Sequence, residues 1–337
     1  MESITKNRQS PATLREMIAR AYGQEQVPDQ APEDGGGDDG GWASELGHGW
    51  FNVAYRIRLR DGREVVLKIA PPPTVEVLSY ERGAMGIELA ALALIREHTG
   101  VPVPEVEYVD SSRELCDADY FFMPFIDADN LGVVEENLPE EERARYFEQL
   151  GAANRELNSL RGKAFGPLAG PGDASWRTAF TGMVEDVLRD GERRDVVIGW
   201  DYDEVRAVFA EHAASLDEVV EPRFVEWDLW AGNVMVKGGS IVGIIDHERA
   251  FYGDPLIEAG FTGAVLPAFG ASDAFMRGYG QAPLTDTELT RRRLYAMHLA
   301  LIMVIETVYR GHTEPTQYEW ARERLDEVMG QLGRQRR

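Results

Sequence analysis

Three polar side chains within residues 226–248 are of the types that phosphoryl transfer requires. Asp228 and Asn233 are separated by four residues, the spacing of a base and an amide ligand in kinase-type sites, and Asp246 follows after two apolar runs. A carboxylate can orient an attacking hydroxyl and accept its proton, whereas other oxygen ligands hold Mg²⁺ on the phosphates. We therefore interpret Asp228 as the catalytic base and Asn233 and Asp246 as metal ligands.

The chain between Asn233 and Asp246 has the pattern of a β-hairpin. Two apolar runs flank Gly238-Gly239, a pair that favours a two-residue turn. If these glycines are the turn, Val236 lies opposite Ile241 and Asn233 lies opposite Ile244, which brings Asp246 next to Asn233. Each polar residue taken alone could be a turn former, but the joint spacing favours a site.

Two segments carry a resemblance to a known family. They are Trp-Asp-Leu-Trp-Ala-Gly-Asn-Val at 227–234 and Ile-Ile-Asp-His-Glu-Arg-Ala-Phe-Tyr-Gly-Asp-Pro at 244–255. They resemble the aminoglycoside phosphotransferase family, whose relatives are the choline kinases and, more distantly, the protein kinases. The resemblance can be followed from about Glu45 to about Arg310. One departure is Glu226, which stands where the family usually has a histidine that supports the loop of the base.

The resemblance implies an α+β, two-lobed, protein-kinase-like fold. A small antiparallel-sheet N-lobe with one long helix would precede a mostly helical C-lobe, with ATP or GTP between them. We divide the chain into an N-terminal helix and flexible linker (1–42), a nucleotide-binding N-lobe and crossover (43–126), and a helical C-lobe (127–337). Residues 24–41 are acidic and Gly-rich, a composition typical of a flexible linker.

The N-lobe carries a glycine loop and a lysine at kinase spacing. Gly47 and Gly49 lie between two candidate strands, where glycine lets backbone amides approach phosphate. Lys68 directly follows the apolar triplet 65–67 and comes one strand and one turn after the glycine loop. The kinase lysine that binds the α- and β-phosphates has the same spacing from its glycine loop. Glu88 is the preferred partner of Lys68, and Glu81, on the same predicted helix face, is the alternative.

Three further residues are assigned by the resemblance. The strand 120–123 would lead into the crossover between the lobes, where the Pro124 carbonyl and the Ile126 amide would contact the adenine edge. The C-terminal helices of the family wall the acceptor pocket, so Glu306 is a candidate for binding a substrate amine. A salt bridge with Arg310, four residues further on, is an equal alternative for Glu306.

Composition limits the class of partner. The net charge is −23, from 35 basic and 58 acidic residues, which argues against nucleic acid and anionic membranes as partners. The single cysteine, Cys116, excludes an intrachain disulfide, and residues 1–20 lack the apolar core of a signal peptide. No apolar run is long enough to span a membrane. We expect a cytoplasmic protein without an obligate protein partner.

The sequence as a whole predicts a small-molecule O-phosphotransferase that uses Mg²⁺ and ATP or GTP. Only a short segment separates Asp246 from the next helix, which favours a small acceptor over a protein. The acceptor would be hydroxylated, and it could be cationic because the chain is acidic. The antibiotic-modifying type is our first interpretation. A metabolic kinase for a choline-, sugar- or homoserine-like acceptor, or a nucleotide-binding pseudokinase, is the alternative.

Overall fold

A computed structural model describes residues 3–29, 41–47, 49 and 51–334. The chain forms two compact units. The first comprises residues 1–77 and 104–127, and the second comprises residues 78–103 and 128–337. We predicted the long helix after residue 79 as part of the N-lobe, whereas its contacts assign it to the second unit. The two-lobed α+β fold itself is confirmed.

The first unit is built on an antiparallel sheet with the strand order β1-β2-β3-β5-β4. Its elements are α1 (Pro11–Tyr22), β1 (Ala43–Glu45), β2 (Val53–Arg58), β3 (Glu64–Ile69), β4 (Tyr108–Asp110) and β5 (Tyr120–Pro124). The predicted hairpin turn at Asp61-Gly62 connects β2 and β3, and Gly62 adopts a φ of 90°, which glycine accommodates without steric cost. Inward-facing residues such as Val53, Leu67 and Phe122 form a separate hydrophobic core in this unit.

Helix α1 is ordered by its own sequence and by the sheet. The Ser10 side chain accepts a hydrogen bond from the Thr13 amide and caps the helix, with Pro11 in its first turn. Met17 and Ile18 are buried in the core of the first unit.

The flexible linker was predicted to begin at residue 24, and this start is wrong. Residues Gln24–Gln26 form a 3₁₀ turn, and Val27 is buried in the core of the first unit. The Gln26 carbonyl also accepts a hydrogen bond from the Arg60 amide. Val27 and the hydrogen bond to Gln26 thus join this segment to the first unit, and composition averaged over residues 24–41 concealed these contacts. Residues 30–40 lie outside the described residues.

The second unit is mostly helical. Its helices are α2 (Ala84–His98), α3 (Leu131–Val134), α4 (Glu140–Leu157), α5 (Trp176–Arg193), α6 (Tyr202–His212), α7 (Asp273–Tyr279), α8 (Asp286–Tyr309) and α9 (Thr316–Gln331). Its strands are β6 (Asp129–Asn130), β7 (Gly166–Pro167), β8 (Arg223–Val225), β9 (Val234–Lys237), β10 (Ser240–Ile244) and β11 (Phe251–Gly253). They form two short antiparallel sheets, β10-β9-β6 and β7-β11-β8.

Helix α8 is the central support of this unit. Its inward face, which includes Leu294, Met297 and Leu301, is fully buried. The helix begins with a capping box in which Thr285 and Glu288 bond reciprocally. Within the described part of the chain, no helix is both long enough and apolar enough to cross a membrane.

The predicted hairpin is present, with one difference in register. Gly238 and Gly239 have φ of 60° and 81°, the left-handed conformation of a two-residue hairpin turn, and Val236 pairs with Ile241 as predicted. A bulge between residues 241 and 243 then shifts the register, so that Ile244 pairs with Val234 and not with Asn233. The Ile245 amide instead donates to the Asn233 carbonyl over 3.0 Å, so the chain entering Asp246 still lies beside Asn233.

Candidate active site

The loop that carries Asp228 follows β8 and is fixed by a buried glutamate. The backbone amides of Glu226 and Trp227 donate to the two carboxylate oxygens of Glu258, over 2.9 and 2.8 Å. Asn158 also donates to Glu258 over 2.8 Å. These bonds hold Trp227 at a φ of 64°, a left-handed conformation that is strained for a residue with a side chain. Asp228 follows directly, so its direction is set by this constrained turn.

Asn233 is tied to the same loop. Its side-chain nitrogen donates to the Asp228 carbonyl over 2.8 Å, and its backbone amide donates to the Trp230 carbonyl over 3.0 Å. Asn130 donates to the carbonyl of the neighbouring Gly232 over 2.6 Å. Because the amide nitrogen is engaged as a donor, the side-chain oxygen of Asn233 is the atom that could ligate a cation.

Asp246 ends the hairpin and lies in a group of acidic side chains. One carboxylate oxygen from each of Glu88, Asp246 and Glu248 falls within 4.8 Å of the others. The φ of Asp246 is 72°, a second left-handed residue in the site. A set composed only of oxygen donors suits Mg²⁺ better than a softer metal. The residues present therefore fit the magnesium ion that the sequence implied, with Glu88 and Glu248 as neighbours that the hairpin pattern did not reveal.

Burial and the charge of Arg249 have opposite effects on the pKa of Asp228. Its side chain is 29% exposed. Burial is the main cause that raises the pKa of Asp228, while Arg249 acts to lower it and the charge of Asp246 raises it further. Arg249 Nε lies 3.8 Å from Asp228 Oδ2. A carboxylate with a raised pKa is a better proton acceptor, and the positive charge of Arg249 limits the rise in the pKa of Asp228.

Arg249 is a site residue that the sequence reading missed. Its guanidinium lies over the rings of Tyr80 and Trp227, with 5.2 and 5.9 Å to their centroids, and its side chain is only 18% exposed. Stacking on aromatic faces stabilises a partly buried arginine. In the sequence, Arg249 is recognisable only as a single arginine between Asp246 and an apolar strand. Its ring partners Tyr80 and Trp227 are distant in sequence, so the contacts could not be predicted.

Glu226, the residue that departs from the family pattern, is paired with His247. Glu226 Oε1 lies 2.8 Å from His247 Nδ1, and both side chains are almost completely buried. Burial is the largest single influence and acts to lower the pKa of His247, but Glu226, the charge of Glu88 and the Ile244 carbonyl together outweigh it, so this pKa is raised. The imidazole of this pair thus belongs to His247, which directly follows Asp246. The carboxylate belongs to Glu226, at the position where the family usually has a histidine.

The two glutamates considered as partners of Lys68 have different surroundings. Glu81 forms a buried salt bridge with the Arg310 guanidinium. Glu88 is also buried, and it lies in the acidic group around Asp246. Glu81 therefore has a buried partner of its own in Arg310. The Lys68–Glu88 pair itself stays a prediction.

The surroundings of Glu306 place it near charged groups of the site. Gln317 donates to Glu306 Oε1 over 3.1 Å, and Arg310, the alternative partner of Glu306, is bonded to Glu81. Burial is the main cause that raises the pKa of Glu306, and the charges of Arg249 and Arg310 act to lower it. Asp228 also contributes to this pKa, so the base and Glu306 lie within electrostatic reach of each other.

The other predicted nucleotide contacts lie in the first unit. Lys68 is buried on β3, where it pairs with Ala54 on β2 and Phe121 on β5. Gly47 and Gly49 lie between β1 and β2. Pro124 ends β5 opposite Val65, and Ile126 follows it. These positions agree with the predicted elements, and the contacts to a nucleotide stay predictions.

Two comparisons of the sequence with known proteins gave matches. The model of the phosphotransferase enzyme family, APH, matches residues 42–295. A subtelomeric hrmA-associated cluster protein of Aspergillus fumigatus is 27% identical over 146 residues. That match covers 43% of this chain and 28% of the fungal protein, so the chain aligns with little more than a quarter of the length of that relative.

Solved structures share the fold. A thermostable mutant of the aminoglycoside phosphotransferase APH(4)-Ia, in a ternary complex with AMP-PNP and hygromycin B, has a TM-score of 0.65 at 19% identity. A proposed fructosamine-3-kinase from Thermobifida fusca has a TM-score of 0.66 at 18% identity. Both alignments cover 96% of this chain and 100% of the other. At these identities the likeness concerns the fold.

Proposed function

Because this chain belongs to the phosphotransferase enzyme family, whose members transfer phosphate to a hydroxyl group, we propose that it is a small-molecule O-phosphotransferase. It would move the γ-phosphoryl group of ATP or GTP onto a hydroxyl of the acceptor. The observation that carries the proposal is the juxtaposition of Asp228, Asn233 and the chain entering Asp246, which are linked by backbone and side-chain hydrogen bonds.

Each residue of this set would have one task. Asp228 accepts the proton of the acceptor hydroxyl as that oxygen attacks the γ-phosphorus. Asn233 and Asp246 are the ligands that would hold Mg²⁺, which neutralises phosphate charge when bound. Lys68, positioned by Glu88, would bind the α- and β-phosphates, and Gly47 and Gly49 would let backbone amides approach them. The Pro124 carbonyl and the Ile126 amide would meet the base of the nucleotide.

The acceptor is proposed to be a hydroxylated amine, with Glu306 as its ammonium-binding residue. Glu306 interacts electrostatically with Asp228 and Arg249, so a bound amine would bring a neighbouring hydroxyl towards the base. Its raised pKa reflects burial that a bound cation would offset. An antibiotic such as an aminoglycoside has this chemistry, and APH(4)-Ia was solved with hygromycin B. A cytoplasmic location would suit such a modifying enzyme.

A metabolic kinase is the second candidate. The structural neighbour from Thermobifida fusca is described as a fructosamine-3-kinase, so a sugar-amine acceptor is compatible with the same fold. The site chemistry would be the same, and the acceptor pocket would differ. A pseudokinase is less favoured, because a scaffold has no need to retain all four of Lys68, Asp228, Asn233 and Asp246.

A coupled nucleotide-consumption screen tests the proposal. Purified protein with Mg²⁺ and ATP or GTP would be incubated with aminoglycosides, peptide antibiotics, hydroxylated amines, and sugars. We expect acceptor-dependent nucleotide consumption in one class and a phosphorylated product by mass spectrometry. The Asp228→Asn variant serves as the control for contaminating kinases. Tight Mg²⁺-dependent nucleotide binding without turnover on any acceptor would favour the pseudokinase.

A further inference from the structure

We propose that Glu226 and His247 form a buried ion pair that holds the loop of the catalytic base beside the loop of the metal ligand. Glu226 precedes Asp228 by two positions, and His247 directly follows Asp246. Both are positioning residues, since neither is placed to touch substrate. The inference rests on the proposed function for its catalytic consequence, while the pairing itself rests on geometry.

The strained backbone of the two loops makes such a restraint necessary. Trp227 and Asp246 have φ of 64° and 72°, and each is the immediate neighbour of one member of the pair. A left-handed conformation is unfavourable for a bulky residue such as Trp227 and less so for an aspartate such as Asp246. Such conformations persist only where surrounding contacts over-determine them. Because Glu226 precedes Trp227 and His247 follows Asp246, the contact between Glu226 and His247 links the two loops.

The burial of Glu226 shows why the pair has to form. Neither carboxylate oxygen of Glu226 receives a hydrogen bond from a residue that the structure describes. A buried carboxylate without compensation is strongly destabilising. His247 Nδ1 lies 2.8 Å from Glu226 Oε1, and the protonated ring carries the opposite charge, although no well-aligned hydrogen bond joins the two atoms. The attraction therefore rests on charge, distance and burial.

Both members are anchored at their other ends. His247 Nε2 lies 3.0 Å from the Ile244 carbonyl, which fixes the ring against the end of β10. The Glu226 backbone amide is bonded to Glu258. Because both residues are anchored, their contact fixes the loop of Asp246 relative to the loop of Asp228. Loss of either charge should therefore displace Asp246 relative to Asp228 and reduce metal-dependent binding and turnover, in addition to lowering stability.

Single and exchanged variants test this inference. The set comprises Glu226→Gln, His247→Gln and the double exchange Glu226→His with His247→Glu. Asp110→Asn is the matched control, because Asp110 is a buried carboxylate of the first unit whose partners include Arg20, Ser112 and Tyr120. Nucleotide affinity would be titrated calorimetrically with and without Mg²⁺. Nucleotide consumption would be measured well below the Tm of each variant.

We expect both single variants to lose most of the gain in nucleotide affinity that Mg²⁺ provides, and to lose about tenfold or more in kcat. The exchanged variant should recover a large part of both. Asp110→Asn should lower only the Tm. The inference is overturned if the single variants lower the Tm as the control does but keep wild-type Mg²⁺ dependence and kcat.

Three further outcomes remain decisive. If the single variants do not fold, a folded exchanged variant with wild-type Mg²⁺ dependence supports the pair, and one without it overturns the pair. If the wild type binds Mg²⁺-nucleotide but turns over no acceptor, the proposed function fails, while the binding data still decide the pair. If the wild type shows no Mg²⁺-dependent nucleotide binding, both proposals fail.

Discussion

The side-chain amide of Asn233 donates a hydrogen bond of 2.8 Å to the backbone carbonyl of Asp228. This bond joins the proposed metal ligand to the proposed base, so that neither can move without the other. It also fixes which atom of Asn233 faces a cation, because only the nitrogen can donate to a carbonyl.

Asp228→Asn should retain nucleotide binding and lose most turnover. The base acts on the acceptor hydroxyl, and positioned proton transfer contributes about 10² to 10⁴ in rate. The nucleotide Kd and kcat of the purified variant would be compared with those of Asp217→Asn, a control at an exposed carboxylate paired with Arg177. Wild-type kcat in a folded Asp228→Asn protein would remove the central assignment.

Asp246→Asn should weaken nucleotide binding in the presence of Mg²⁺ and leave metal-free binding nearly unchanged. Asparagine tolerates the φ of 72° at this position, so the variant tests the loss of charge alone. Asp246→Ala should show the same loss of metal dependence and an added loss of stability from the left-handed backbone. An unchanged difference between titrations with and without Mg²⁺ would show that Asp246 is not a ligand.

Glu306→Gln should raise the KM for a cationic acceptor and leave the KM for the nucleotide nearly unchanged. A hydrogen bond to a charged group contributes about 1.5–3 kcal/mol, or about tenfold or more in kcat/KM. Glu319→Gln, an exposed carboxylate on α9, is the control. If Glu306→Gln lowers only the Tm, Glu306 has a structural role and the ammonium-binding residue lies elsewhere.

Stability should fall as the pH rises from about 5 to 7, in part because of Glu258. Burial is the main cause that raises the pKa of Glu258 from 4.5 to about 7, while its hydrogen bonds from Asn158 and the Glu226 amide oppose this. Between these two pH values the folded protein keeps the proton that the unfolded chain releases. The unfolding free energy therefore decreases with rising pH, by at most about 1.4 kcal/mol per pH unit for one group.

Urea unfolding at several pH values would measure this slope in the wild type and in Glu258→Gln. The variant should be less stable throughout, because its amide nitrogen would face backbone donors, but its pH slope should be smaller. Equal slopes in the two proteins would mean that Glu258 does not titrate in this range.

Gly151→Ala should destabilise the second unit without altering the site. A Cβ at position 151 of α4 would lie 2.1 Å from the Phe275 carbonyl oxygen and 2.6 Å from the Tyr279 nitrogen, both on α7. Forcing the helices apart costs about 1–3 kcal/mol. Gly182→Ala in α5 is the matched control, because nothing lies within 4 Å of its added Cβ. That substitution should stabilise the protein by about 0.5–1 kcal/mol, as read from the Tm of each variant.

Local patterns in the sequence were sufficient for much of the site. The turn at Gly238-Gly239, the pairing of Val236 with Ile241 and the order of the strands around Lys68 all depend on neighbours along the chain. Turn chemistry and alternation act over a few residues, so they can be recognised without knowing the fold. The family and its two-lobed fold followed from the motifs at 227–234 and 244–255, and the family match at 42–295 confirms the family.

Side-chain partners across long sequence separations were decided only by the tertiary structure. Glu81 is bonded to Arg310, 229 positions away, and Arg249 lies over Tyr80. In the sequence, Glu226 was notable only because it replaces the histidine usual in the family. The fold showed that His247 lies against it. The partner of a buried charge is the opposite charge that packing brings close to it. The sequence does not show which of the many acidic residues are buried and which are solvated. The sequence therefore determined which groups could do the chemistry, and packing determined which of them are paired.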